Sequence, residues 1–221
     1  NKGLSRLKEN TDVFKIKSLV NNANSISIAK DNTMWYSHDD GVTSINNQQE
    51  VTNFESDPTN FNSLITSETG KILVTNKGVV WAASKYGGAT TINPKVNSFE
   101  RFEDVGESDT TIIHGKINTL YEDKNGVLWL SSLNGISKYM NRQFKSYPYN
   151  PVLNNEHLLD VNAFLHSGDG KIWVGTNSNG LYSLSYNDLS VIKHYTLDLN
   201  DKYSFSSSTV MSIYRSEERR V

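Results

Sequence analysis

The feature that most constrains the fold is a repeat marked by the four tryptophans of the chain. They stand at Trp35, Trp81, Trp129 and Trp173, with spacings of 46, 48 and 44 residues. A period of this length is typical of one β-propeller blade. The same columns recur around each tryptophan, as in INTLYEDKNGVLWLSSLNGISKY from residue 117 and VNAFLHSGDGKIWVGTNSNGLYSL from residue 161. The spacing therefore predicts four copies of one supersecondary unit.

Within each unit the apolar residues alternate along short runs that end at turn residues, which indicates strands rather than helices. In the third unit we predict strand A at residues 117–122, B at 127–132, C at 135–139 and D at 143–147. Turns of Asp, Asn and Gly join A to B, and their glycines allow the positive φ that tight turns need. Asn32 stands in this glycine column in the first unit. The 36% hydrophobic content suffices for a core. We predict an all-β chain of four-stranded blades.

Partial units flank the four complete ones. Residues 3–7 and 13–16 match strands C and D, and residues 210–214 match strand A. Joining the two ends would supply A, C and D but no tryptophan strand. We therefore expect residues 1–214 to be a propeller fragment of about four complete blades with partial blades at both ends, its ring not closed. Residues 215–221, RSEERRV, resemble the translation of a sequencing adapter. We expect a non-native tail there, with a natural charged tail as the alternative.

Composition excludes several classes of function. The formal charge of -2 lacks the basic excess of a nucleic-acid binder, and no apolar run approaches the length of a membrane-spanning helix. With no Cys, thiolate chemistry and Cys-ligated zinc are excluded. The four-residue Asp/Asn-Gly turns lack the alternating ligands of a calcium loop. We expect no nucleic-acid partner, no membrane segment in this fragment, no metal and no cofactor.

The third and fourth units resemble the two-component regulator propeller repeat, approximately V-x-x-I-x-x-D-x-x-G-x-L-W-I-G-T-x-x-G-G-L. The matching residues are INTLYED at 117–123, NGVLW at 125–129, KIWVGT at 171–176 and NGL at 179–181. The first two units are degenerate, since Ala29 and Thr75 occupy the column of Asp123. The stretch 197–214 is similar to the connection between blades in this family.

This resemblance implies a function. Proteins with the repeat are typically periplasmic sensor regions of hybrid two-component systems in Bacteroidetes-like bacteria, and many sense oligosaccharides released from polysaccharides. In such receptors the propeller blades are followed by an immunoglobulin-like module, a membrane helix and a histidine kinase, and the full-length receptor is expected to be a homodimer. No kinase residues lie in this chain, so the resemblance implies a non-catalytic, ligand-sensing segment.

Candidate ligand residues follow from propeller geometry, in which the B–C and D–A connections share one end of the blades. The B–C loops at residues 38–40, 84–86, 132–134 and 177–179 differ from unit to unit, as one asymmetric site or drift on solvated loops would produce. Tyrosine suits stacking on a sugar ring, and Asn, Asp, His and Lys suit contacts to its hydroxyls. The predicted ligand residues are Asp40, Lys85, Tyr86, Asn134, Tyr149, His157 and Asn179.

Two other functions stay open at this stage. A glycan-active hydrolase or lyase could use His38 beside Asp39 and Asp40, or His157 near Asp160, as an acid and base pair. No nucleophile motif or metal-ligand spacing supports this alternative. A protein-interaction scaffold is the third, because the fold alone does not determine function.

Overall fold

The structure is a computed structural model that describes residues 4–7, 14–18, 23–103, 111–150 and 154–215. The chain divides into two compact units, residues 1–103 and residues 104–221. All regular structure within the described ranges is β-strand, apart from one 3₁₀ turn at Glu156–Leu158. The predicted fold class is confirmed at this level.

The first unit contains a two-stranded sheet and two four-stranded sheets. The two-stranded sheet pairs β1 (Leu4–Leu7) with β2 (Phe14–Ser18), as predicted for the partial N-terminal blade. Blade 1 is β3 (Ser25–Ile28), β4 (Met34–His38), β5 (Gly41–Ile45) and β6 (Val51–Phe54). Blade 2 is β7 (Thr69–Val74), β8 (Val80–Ser84), β9 (Ala89–Asn93) and β10 (Ser98–Phe102).

The second unit contains the two other four-stranded sheets. Blade 3 is β11 (Thr119–Glu122), β12 (Leu128–Ser132), β13 (Gly135–Met140) and β14 (Gln143–Pro148). Blade 4 is β15 (Val161–His166), β16 (Lys171–Thr176), β17 (Leu181–Ser185) and β18 (Val191–Tyr195). The four strands predicted for the third unit all form, with bounds that differ from the prediction by at most two residues.

Each blade is an antiparallel sheet of four strands in chain order, with the tryptophan on its second strand. The whole of β8 and the whole of β12 are buried, so these strands are covered on both faces. This explains why the tryptophan strands are continuous apolar or small runs rather than alternating ones. Trp35, Trp81 and Trp129 are buried packing residues, whereas Trp173 is half-buried.

The A–B turns share one backbone form, in which the N–H of the residue before the turn donates to the carbonyl oxygen of the residue after the turn. Asp123 N donates to Val127 O, and Ala29 N donates to Thr33 O, both over 2.9 Å. The turn requires a left-handed residue, supplied by Gly126 at φ +74° and by Asn32 at φ +63°. Asparagine tolerates this conformation better than most side chains. The exception in the glycine column therefore preserves the turn.

The predicted C-terminal strand A does not form. Residues 210–214 carry no strand pairing, although Val210 N donates to Thr176 O over 2.8 Å and the segment lies against Gly175 of blade 4. In all four blades strand A pairs with strand B of the same blade, and no strand follows residue 210 in the described part of the chain. Without that partner the segment docks on its neighbour but has no ladder. The expected tail begins at Arg215, and its remaining residues, 216–221, lie outside the described ranges.

Leu64, Leu158 and Phe205 stand just before strand A in the long D–A connections, and the sequence predicts that each anchors its loop by burying an apolar side chain. Leu64 and Leu158 are buried in the cores of their units, as the sequence predicts. Phe205, predicted to act in the same way, is 37% exposed and only approaches the ring of Tyr195 at 6.3 Å. The expectation for Phe205 was wrong, because its ring lies at the surface beside Tyr195 and outside the core that buries Leu158.

Candidate functional site

The loop end of blades 1 and 2 carries an ion pair between equivalent loops. Lys85, in the B–C loop of blade 2, forms a charged hydrogen bond with Asp39, in the B–C loop of blade 1. Both side chains are about 30% exposed. Asn24 also donates to Asp39 Oδ1 over 3.1 Å and to Thr69 O over 2.9 Å. The predicted residue Lys85 is therefore held in a fixed position at the surface of the first unit.

Tyr86 stands next to this pair and is 69% exposed. Its hydroxyl donates to Glu68 Oε2 over 2.7 Å, and this hydrogen bond raises the pKa of the tyrosine. The backbone is fixed as well, since Tyr86 N donates to Ser84 Oγ over 2.9 Å. The result is a tyrosine ring that is anchored at its tip and keeps its face in solvent.

A polar cavity of about 540 Å³ lies on blade 1 and includes Asp40 and His38. Asp40 N donates to His38 Nδ1 over 3.2 Å, so Nε2 carries the proton that is shared with Thr43 Oγ1 at 2.9 Å. Thr43 in turn donates to Asn53 Oδ1 over 2.9 Å. Burial lowers the pKa of His38, which favours the neutral ring. His38 is thus engaged on both nitrogens and serves as a structural link.

The second unit brings two of the predicted residues together. Tyr149 N donates to Asn134 O over 2.7 Å, and Asn134 Nδ2 donates to His114 O over 3.0 Å. Asn134 is exposed and Tyr149 is half-buried. These contacts order the B–C and D–A connections of blade 3 against each other, and they leave the phenol of Tyr149 outside the hydrogen bonds that order the loops.

His157 and Asn179 take part in the packing of blade 4. The ring of His157 lies 5.6 Å from that of Tyr182, and burial lowers the pKa of His157. Asn179 N donates to Thr176 Oγ1 over 2.9 Å, and Asn179 O is 2.6 Å from His194 Nε2. The backbone of Asn179 shapes its loop, and its amide side chain lies at the surface. Asp40, Lys85 and Tyr86 belong to the first unit, and the other four predicted residues belong to the second.

The most connected polar group of the second unit is Asp123, which the sequence shows only as a motif residue. Its carboxylate is 1% exposed and accepts from Trp129 Nε1 over 3.0 Å and from Tyr186 Oη over 2.7 Å. It also accepts from the backbone N–H groups of Asn125 and Val127, over 2.8 and 3.0 Å. Asp123 thereby ties the A–B turn of blade 3, the tryptophan strand and blade 4 together. This is a structural role.

Two further side chains surround this carboxylate. His166 Nδ1 lies 3.8 Å from Asp123 Oδ2 and has no hydrogen-bond partner within the described ranges. The ammonium of Lys138 lies 4.4 Å from the Trp129 ring centroid and 4.8 Å from that of Tyr186. Burial lowers the pKa of Lys138 to about 8 and raises that of Tyr186 to about 12. The group is sealed between blades 3 and 4, away from the loop ends.

Asp39 and Glu68 contact predicted ligand residues but are absent from the predicted ligand set, in which Asp39 was considered only as an acid or base beside His38. A signal for Asp39 was available, because Asp39 and Lys85 are 46 residues apart, the same spacing as Trp35 and Trp81. Equivalent loop positions of consecutive blades are neighbours, so opposite charges in one column predict an ion pair. The sequence provides no such signal for Glu68, because this residue lies in a D–A connection whose sequence does not align with those of the other units.

Two structural features are absent from the described ranges, a cluster of metal ligands and a helix able to span a membrane. These ranges contain no group of three or more His, Asp or Glu side chains that could hold a metal ion. They also contain no helix with the length and apolar character needed to span a membrane. The loop end of the first unit presents one exposed aromatic ring, that of Tyr86, beside the ion pair of Lys85 and Asp39.

Comparison with known sequences identifies the repeat. Residues 111–134 match the family model of the two component regulator propeller. The matched segment contains Asp123, Gly126 and Trp129, which form the turn and its tryptophan contact. No curated protein matches the chain.

Solved structures share the fold. The chain is similar to the extracellular domain of the hybrid two component system BT3049 from B. thetaiotaomicron, with 21% identity over 79% of this chain and a TM-score of 0.67. A similar domain of BT4673 from the same organism has 18% identity over 96% of this chain and a TM-score of 0.70. The chain covers only 24% and 26% of those two chains.

A third structure shows that the same fold occurs in an enzyme. The match to virginiamycin B lyase from Staphylococcus aureus has 13% identity and a TM-score of 0.59. It covers 89% of this chain and 60% of the lyase chain. At these identities the likeness establishes the fold and leaves the activity open. The chain has the fold of β-propeller blades, and its residues 111–134 match the two component regulator propeller.

Proposed function

We propose that this chain is a ligand-sensing segment of the extracytoplasmic β-propeller of a two-component receptor and that it binds oligosaccharides at its loop ends. The observation that carries the proposal is the group formed by Tyr86, Lys85 and Asp39 in the first unit. An exposed aromatic face beside fixed charged groups is the combination that recognises a sugar ring and its hydroxyls.

Three features of this group favour binding over a purely structural role. The ring of Tyr86 stays exposed although its hydroxyl is tethered to Glu68. A tethered ring loses less conformational freedom when a ligand stacks on it. The pair of Lys85 and Asp39 keeps both charged groups partly exposed at the surface, within reach of the hydroxyl groups of a ligand.

The receptor context rests on similarity to the extracellular domains of BT3049 and BT4673. In this proposal the chain lies in the periplasm and contributes blades to a larger ectodomain with an immunoglobulin-like module. A ligand signals by favouring one packing of two receptor chains over another. Sedimentation of the intact ectodomain with and without ligand tests this step, and unchanged association together with unchanged domain geometry would contradict it.

The binding step is tested on the 221-residue chain by calorimetric titration with a panel of plant and host-glycan oligosaccharides. We expect saturable binding of at least one compound, with Tyr86→Ala lowering the affinity about tenfold, as the loss of one stacking contact implies. Lys85→Ala should also weaken it. Lys145→Ala serves as the matched control, because Lys145 is an exposed lysine on β14 of blade 3.

The other functions give different results in the same experiment. Formation of shortened glycan products that is lost in His38→Ala would favour a hydrolase or lyase. Absence of any glycan response, together with Tyr86→Ala and wild type behaving alike, would contradict the proposal. The fixed hydrogen bonds of His38 to Thr43 and Asp40 make the catalytic outcome the less expected one.

A further inference from the structure

The A–B turn end of the first unit contains a cavity of about 600 Å³ between blades 1 and 2. It lies at the opposite end of strand β4 from the B–C loop that holds Asp39. Trp35 lines the cavity and is 4% exposed. No described residue accepts a hydrogen bond from Trp35 Nε1. An indole N–H in the wall of a cavity, with no described residue as its acceptor, offers a donor to a ligand.

The internal repeat shows what normally fills this space. Trp35 pairs with Ser27 on strand A as Trp129 pairs with Tyr121, so the two blades have the same register. Ala29 and Asp123 each stand two residues beyond that partner and make the same turn hydrogen bond. In blade 3 the carboxylate of Asp123 accepts the indole N–H. In blade 1 the methyl group of Ala29 stands in its place and offers no acceptor.

Three more positions that surround the carboxylate in the second unit hold smaller residues in the first unit. The strand registers place Ser44 where blade 3 has Lys138, and Val74 where blade 4 has His166. Pro94 occupies the column of Tyr186. All four smaller residues line the cavity: Ala29, Ser44, Val74 and Pro94. The cavity is therefore the space that one carboxylate, one ammonium and two rings fill between blades 3 and 4, with the tryptophan retained.

The charged side chains that line the cavity are mostly basic. The lining includes Lys30, Lys77 and Lys95 but only one carboxylate, that of Asp31. The carboxylate of Asp31 is already engaged, since Thr33 N donates to its Oδ1 over 2.9 Å. Three lysines at the rim favour an anion, and the stacked rings of Trp35 and Phe54 at 5.3 Å form an apolar wall.

We propose that this cavity binds a small cyclic carboxylate, whose carboxylate accepts from Trp35 Nε1 and whose ring takes the volume filled by Tyr186 and His166 in the second unit. The ligand is a sugar acid or an aromatic acid, which share this chemistry. This site is separate from the loop-end site, so its failure would leave the proposed function untouched. Tyr86→Ala should not affect it.

The test is a titration of the isotopically labelled 221-residue chain, followed by the indole N–H resonance of Trp35 in nuclear magnetic resonance spectra. The resonance is assigned from its loss in Trp35→Phe. D-glucuronate represents the sugar acids and 4-hydroxybenzoate the aromatic acids, with D-glucose and phenol as neutral controls. We expect a saturable downfield shift with at least one acid and a response at least tenfold weaker to its neutral control. The acid that saturates at the lower concentration identifies the source.

Ala29→Asp supplies the carboxylate from the protein itself. It should abolish the response to the acids and raise the thermal midpoint of the first unit, because it recreates the contact of Asp123 with Trp129. Ser167→Asp is the matched control, since it places an aspartate in the same column of blade 4 and should leave the titration unchanged. Lys77→Gln with Lys95→Gln provides a second variant at exposed positions and should lower the affinity several-fold.

Three results would overturn the proposal. The first is an indole resonance that does not move with either acid at concentrations that saturate no other site. The second is an equal response to an acid and its neutral control, which would exclude recognition of the carboxylate. The third is unchanged binding by a folded Ala29→Asp variant.

Discussion

The indole nitrogen of Trp129, on β12, donates a hydrogen bond of 3.0 Å to the buried carboxylate of Asp123, which directly follows the paired strand β11. The same carboxylate receives Tyr186 from blade 4. This relationship explains why the family motif couples an aspartate, a glycine and a tryptophan at fixed spacing. The aspartate closes the turn, and it also provides the acceptor that lets an indole N–H be buried between blades.

Replacement of Asp123 should therefore destabilise the second unit strongly. Asp123→Ala leaves four donors without an acceptor, and we expect a loss of about 3 kcal/mol or more in the free energy of unfolding, measured by urea denaturation. Asp123→Asn should lose less, because its oxygen can still accept from the turn N–H groups. Asp169→Ala, at an exposed turn aspartate of blade 4, is the control and should change little. Equal losses for Asp123→Ala and Asp169→Ala would refute the assigned role.

The glycine of the B–C loop is predicted to be irreplaceable for a reason beyond its φ angle. A Cβ at Gly135 would lie 2.2 Å from Tyr147 O and 2.9 Å from Pro148 Cα, both backbone atoms. Gly168 also has a positive φ, +86°, but no atom lies within 4 Å of its added Cβ. We expect Gly168→Ala to cost about 1 kcal/mol from backbone strain and Gly135→Ala to cost clearly more, by thermal or urea unfolding. Similar costs would show that the clash is relieved by movement.

Because of Lys138, the free energy of unfolding of the second unit should change with pH in the alkaline range. Its pKa is lowered from 10.5 to about 8, mainly by burial, so the unfolded chain binds more protons between these values. The free energy of unfolding should therefore rise with pH in this window, relative to Lys138→Met. Urea unfolding of both proteins between pH 7.5 and 9.5 measures the difference. Lys124→Met, at an exposed position of the A–B turn, is the control. A constant difference between wild type and Lys138→Met would contradict the prediction.

His157 should produce the corresponding effect on the acid side. Burial lowers its pKa below the ordinary 6.5, so the folded state favours the neutral ring and the unfolded chain binds the proton first. The free energy of unfolding should fall as the pH decreases from 7 through 6.5, and His157→Gln should reduce this slope. His114→Gln, at an exposed histidine, should leave it intact. The prediction fails if both variants keep the slope of the wild type.

The fold could be predicted from sequence because its determinants are local and repeated. The tryptophan, the left-handed turn residue (glycine in three units and Asn32 in the first) and the strand periods reappear in each unit, and each strand pairs with its neighbour in the chain. Contacts between blades were harder to predict, since they join side chains whose spacing is visible only after the units are aligned. Lys85 and Asp39 are such a pair. Phe205 shows the opposite limit, because an apolar residue is buried only where a neighbouring element covers it.

The surface positions of some candidate residues were predicted from sequence, whereas their role in ligand binding stays a prediction. Tyr86, Lys85 and Asp40 lie at the loop end of the first unit with exposed or half-exposed side chains, as expected of ligand residues. His157 and Asn179 were selected by residue type, yet their ring and backbone have packing roles that depend on Tyr182, Thr176 and His194. The cavity beside Trp35 could not be predicted from one unit. It becomes visible only when Ala29 is compared with Asp123 in a structure.

The pairing of strands in strict chain order has a consequence for how such a protein changes over generations. Every ladder is completed within a single stretch of the 44- to 48-residue period, so hydrogen bonding within a blade is independent of the number of blades. An in-frame duplication or deletion of one period would leave every strand register intact. Side chains between neighbouring blades can then diverge from one copy to the next, as shown by Ala29 and Asp123 at equivalent positions of blades 1 and 3. A gene of this kind can gain or lose whole cavities between blades by recombination.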